Sequence, residues 1–158
     1  MQEEKSTANI IQELTSVKTL SEGSKVIANN QKSIVDMSLR DFFDTYLLKH
    51  PELKRPRVIN DSNISRQHAY AILNCDKNGN RDKIIALCFA AKMSVEETNH
   101  ALIYAGHAPL HAKNNRDAEI IVAITTRGKG SRECDTVTDL SLWLDEKGLG
   151  ELNLGGKY

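Results

Sequence analysis

Six side chains between residues 53 and 75 have the types and spacing to read a nucleic acid. They are Ser65, Arg66, Gln67, His68, Ala71 and Asn74. Arg, Gln and Asn can each form two hydrogen bonds with one base edge, and such readers usually sit at a helix N-terminus. Around them stand Arg55, Arg57, Lys77, Asn78 and Arg81, which suit phosphate oxygens. His68 can contact a base or a phosphate, with a charge that depends on pH.

Two short helices and a tight turn are needed to hold these side chains outward. Val58 and Ile59 make the apolar inner face of the first helix. Asn63 stands where the chain reverses, and Asn tolerates the left-handed conformation. Ile64 plugs the turn, and Ser65 is placed to cap the next helix with its hydroxyl. Ala69, Ile72 and Leu73 recur at helical spacing and turn inward.

This stretch resembles the helix-turn-helix of the XRE (Cro and phage-repressor-like) family. The family pattern runs Gln-x-x-Leu-Ala, a Gly at the turn, an aliphatic residue, then Ser-Arg. Here Arg55, Val58, Ile59, Asn63, Ile64 and Ser65-Arg66 stand at those positions, and Asn74-Cys75 lies where Asn-Gly closes the helix. The departures are Arg55 for Gln, the bulkier Ile59 for Ala, and Cys75 for Gly. The wider pattern, from about residue 10 to 152, is similar to a Firmicutes-type group of XRE-like proteins with an added C-terminal helical hairpin. The resemblance implies double-stranded DNA binding and no particular regulon or ligand.

Other chemistries lack their residues. His100, His107, His111 and Cys88 show no metal-binding pair at helical i, i+4 spacing, because Gly106 and Pro109 intervene. Ser65 and His68 have no orienting acid nearby for a hydrolase. Residues 127–132, RGKGSR, fall short of a phosphate-binding loop: Ala123 stands at its first Gly and Gly130 where Ser or Thr follows the Lys. They read as a basic flexible loop. No enzyme, cofactor or metal is expected.

The 158 residues suffice for one domain with an appendage. Aromatics are few, at 5%, while Ala, Ile and Leu are common, which favours helices. No apolar run is long enough for a membrane span, and three cysteines without a close pair suit a reducing cytoplasm. Net charge is +0, yet residues 54–92 hold eight bases and three acids, about +5. A local basic patch on a neutral chain fits a site-specific reader.

Read in order, the chain predicts an all-α fold: a phage-repressor-like helix-turn-helix bundle with an N-terminal helical arm and a C-terminal helical hairpin extension. The arm covers 1–36, the bundle 37–110 and the extension 111–158. In the arm, a helix carrying Ile10, Ile11, Leu14, Val17 and Leu20 should break near Gly23, with a second helix from about Ser24 to Gln31. Ser38 should cap a helix over 39–49 and Pro51 stop it. Further helices are expected over Arg81–Lys92, from Ser94 with Glu97 as a capping box, and around Val137, Leu140, Trp143 and Leu144 as an inner face. Residues 80–110 and 115–152 share an Asn-Arg-Asp start and the same helix order, an internal repeat.

The leading expectation is a cytoplasmic bacterial transcriptional regulator reading the major groove with residues 64–74. The arm or the hairpin is the candidate surface for a homodimer. The alternative is a protein-interaction module, antitoxin-like or kinase-associated, that has kept this fold.

Overall fold

A computed structural model describes residues 5–30, 37–127 and 134–155. The end of the helix expected to reach Gln31, and the basic loop from residue 128 to 132, lie outside them. The chain divides into two compact units, residues 1–37 and 38–158. The described residues are helical wherever they form regular structure, and no helix is long and apolar enough to cross a membrane.

The first unit is a pair of amphipathic helices, α1 (Thr7–Thr15) and α2 (Leu20–Asn29). The break falls between them rather than at Gly23, which lies inside α2. Side-chain capping explains the shift. The Ser16 hydroxyl donates to the Glu13 carbonyl, the Thr19 hydroxyl accepts from Glu22 N–H, and the Glu22 carboxylate accepts from Lys18 N–H. Three side chains that satisfy helix ends outweigh one glycine, whose cost inside a helix is only about 1 kcal/mol. Neither helix buries a residue.

The second unit contains α3 (Leu39–Lys49), α4 (Arg55–Asp61), α5 (Arg66–Leu73), α6 (Arg81–Ala90), α7 (Val95–Tyr104), α8 (Asn115–Thr126) and α9 (Val137–Glu146). Ser38 caps α3 through Asp41 N–H. Helix α6 is the centre. Six consecutive residues, Ile84 to Phe89, are buried, so it is apolar all round and must be enclosed. Helices α4, α7 and α9 pack on it. The helix ends at Ala90, with Ala91 as its cap, short of the expected Lys92, because Lys92 adopts a left-handed φ of 58° and turns the chain toward α7. Gly79 lets the preceding loop press on α5: a Cβ there would come within 2.8 Å of Ile72 Cδ1.

Hairpins α6–α7 and α8–α9 are bonded alike through their second helices and closing turns. Each second helix opens with a capping box, Ser94 with Glu97 and Thr136 with Asp139. Each ends on a left-handed glycine, Gly106 and Gly148, followed by a six-residue closing bond: His107 N–H to Leu102 O and Leu149 N–H to Leu144 O. Leu110 and Leu152 then turn inward, their N–H groups held by Asn99 Oδ1 and Ser141 Oγ.

The two Asn-Arg-Asp strings face each other and exchange partners. Arg81 grips Asp117 with bonds of 2.7 and 2.9 Å, and Arg116 grips Asp82 with bonds of 2.8 and 3.0 Å. Arg81 also donates to Ala108 O and Pro109 O, as Arg116 does to Glu151 O. Asp117 accepts His111 N–H, as Asp82 accepts Asn153 N–H. The exchange is a local two-fold relation within one chain. Burial would raise the Asp117 carboxyl, but the Arg81 bonds, the His111 N–H and the two guanidinium charges outweigh it and hold it below the ordinary range.

Trp143 departs from the expected inner face. Val137, Leu140 and Leu144 are buried, but Trp143 is half-buried. Its indole N–H donates to Glu119 at 2.9 Å, and the Lys147 ammonium lies 4.5 Å from the ring centroid. A ring with one polar edge sits well at such a border between core and water.

Candidate nucleic-acid interface

Helices α4 and α5 carry most of residues 53–75. Pro56 opens α4, where its missing N–H costs nothing. Val58 and Ile59 are buried, and Asn63 takes a left-handed φ of 60°. Ser62, which the motif did not mark, is fully buried and organises the turn. Its hydroxyl donates to Ile59 O at 2.7 Å and accepts Ile64 N–H at 3.3 Å. The Asn63 amide donates to Thr138 Oγ1 at 2.7 Å, tying the turn to α9.

Ser65 occupies the cap position of α5, but its hydroxyl makes no capping bond. The expected cap is therefore absent, and the hydroxyl faces solvent with the first turn of α5. At the other end Cys75 takes the place of a glycine in conformation as well as position, with φ 62°. Cys75 N–H bonds Ile72 O and Asp76 N–H bonds Ala71 O, the closing pair of a Schellman turn.

Ala69, Ile72 and Leu73 are buried on one face of α5. On the opposite face Ser65, Arg66 and Gln67 are exposed, and His68, Ala71 and Asn74 are half-buried. Ser65, Gln67, His68, Ala71 and Lys77 line a shallow hollow of about 220 Å³. The Arg66 guanidinium lies 5.7 Å from the Tyr70 ring centroid one turn on, and Tyr70 packs against the core.

The cations expected at phosphates separate into two groups. Arg57, Lys77 and the neutral Asn78 are exposed, and Arg57 makes only a loose 3.7 Å pair with Asp61. Arg55 instead pairs with Asp44 of α3, and Arg81 is spent on Asp117 and two carbonyls. Both guanidinium groups are turned into the fold, where their charge is matched by a carboxylate. Helix periodicity could not reveal this, because each acid comes from another element. Lys83, which the motif also left out, contacts α5, its Nζ 3.0 Å from His68 Nε2. Burial, then the charges of Lys83 and Lys77, hold the His68 imidazole below its ordinary range.

The histidines outside α5 have local duties. His107 Nε2 donates to Gly79 O, and His111 Nδ1 accepts Lys113 N–H. Among the described residues no group of three or more His, Cys, Asp and Glu is placed to hold a metal ion. No family model matches this chain, and no curated protein and no solved structure is similar to it.

Proposed function

We propose that α3 to α7 form a helix-turn-helix bundle of the XRE kind that binds double-stranded DNA, with α5 entering the major groove. The supporting observation is the division of α5 into a buried face of Ala69, Ile72 and Leu73 and an outward face of Ser65, Arg66, Gln67, His68, Ala71 and Asn74. Arg66 and Gln67 are the principal base readers. Arg57, Lys77 and Asn78 hold the phosphate backbone, whereas Arg55 and Arg81 act by fixing α4 and α6. The biological role is that of a bacterial cytoplasmic transcriptional regulator without catalytic activity. Capture of genomic fragments by the full chain across a salt series tests it: binding that concentrates on few sites and weakens steeply with salt supports the reading. Equal, weak binding to all fragments overturns it.

A second reading is favoured by the charge of the last hairpin. Residues 115–152 carry eight acids and five bases. Val122 and Leu142 are 51% and 52% exposed there. Such a surface suits a protein partner, with the bundle serving as an interaction module. A DNA shift assay alongside affinity capture from the native cell separates the two.

A further inference from the structure

Lys83 lies in the first turn of α6 and reaches the reading helix across the bundle. Its Nζ sits 3.0 Å from Nε2 of His68. An ammonium group can only donate. Nε2 is therefore the acceptor and carries no proton, so the neutral ring must hold its proton on Nδ1. That is the reverse of the tautomer a solvated histidine prefers. No other hydrogen bond engages the His68 side chain among the described residues. The charged groups facing the ring are Lys83 from α6 and Lys77 from the loop after α5, and both oppose a second proton. The ring borders the outward hollow with Ser65, Gln67, Ala71 and Lys77.

We propose that Lys83 sets the tautomer of His68, making its Nδ1–H a fixed single donor that selects guanine at one position of the target DNA. The inference rests on the DNA-binding reading above. A donor without an acceptor beside it discriminates by what it meets. Guanine offers O6 and N7 and no donor on its major-groove edge. Cytosine offers an amino group there, adenine sets an amino group beside its N7, and thymine offers a single acceptor, O4, crowded by its C5-methyl group. An imidazole free to exchange tautomers could turn either a donor or an acceptor to the groove. One held by Lys83 cannot.

The test has two arms. Long-range nitrogen–proton spectra of the imidazoles in the full chain, free of DNA, should show His68 protonated on Nδ1. The variant Lys83→Met keeps the stem and loses the donor, and should return His68 to the Nε2–H form. Selection of binding sites from random duplexes should then give a guanine at one position whose preference falls roughly 5- to 10-fold in His68→Ala, with other positions unchanged. Lys83→Met should weaken the same position and no other. An Nε2–H ring in the unaltered chain overturns the tautomer claim. A selected site indifferent to both substitutions overturns the reading role of His68 alone. Absence of any selected site overturns the DNA reading together with it.

Discussion

Arg81 and Asp117 stand 36 residues apart in the chain and meet in two hydrogen bonds of 2.7 and 2.9 Å, with the Asp117 side chain only 8% exposed. Arg116 and Asp82 repeat the arrangement with donor and acceptor exchanged between hairpins. Each pair closes the junction of α6 and α8 from one side. Removing one partner leaves a poorly solvated charge, so Arg81→Met or Asp117→Asn should each cost about 3 kcal/mol. Urea midpoints of the single variants and of the double variant check this, and the double should cost much less than the sum of the singles.

The same carboxyl makes the fold sensitive to acid. Asp117 is held below the ordinary carboxylate range in the fold, so the folded chain gives up its proton more readily than the unfolded one. Its contribution is complete above the unfolded value, near 4, and disappears as pH falls through the lower folded value. Urea unfolding at stepped pH should show a decline below about pH 4 that is smaller in Asp117→Asn. An equal slope in both proteins refutes the assignment.

If α5 reads DNA as proposed, Arg66→Ala should lose about 1–3 kcal/mol on a selected DNA site and little on random DNA. Arg57→Ala and Lys77→Ala should weaken both alike and each lower the salt dependence by about one unit. Arg55→Ala and Arg81→Ala should reduce binding only as far as they unfold the protein. Titrations at several salt concentrations, paired with melting curves, distinguish these patterns.

Cys75 holds a left-handed conformation that a glycine adopts without a Cβ penalty. Cys75→Gly should therefore stabilise the protein by about 1 kcal/mol, and Cys75→Val should destabilise it by at least as much. Chemical denaturation of the three forms under reducing conditions measures both changes.

Local signals carried most of the helical framework. Ser38, Ser94 with Glu97, and Gly106 announce helix ends through groups that lie within four residues of one another. The turn at Asn63 and Ile64 is legible for the same reason. Gly23 misled, since Thr19 and Glu22 supply stronger capping than a glycine supplies breaking. What stayed hidden depends on contacts between distant elements. Arg55 and Arg81 look like phosphate ligands along the chain, and only the approach of Asp44 and Asp117 shows where their charge goes. Ser65 looks like a cap by type, but its hydroxyl makes no capping bond. Lys83 has no mark of its own among the eight bases of residues 54–92 until α6 is laid beside α5.

The crossed pairing of the hairpins bears on the order in which the chain is made. Asp82 emerges early in synthesis with α6, but its partners, the Arg116 guanidinium and the Asn153 N–H, follow 34 and 71 residues later. Until then the most deeply buried helix among the described residues waits with one wall missing and an acid unmatched beside it. A ribosome stalled before residue 116 should hold a nascent segment that proteases cut readily, and release of the last helix should make the whole segment from Ser38 resistant in a single step.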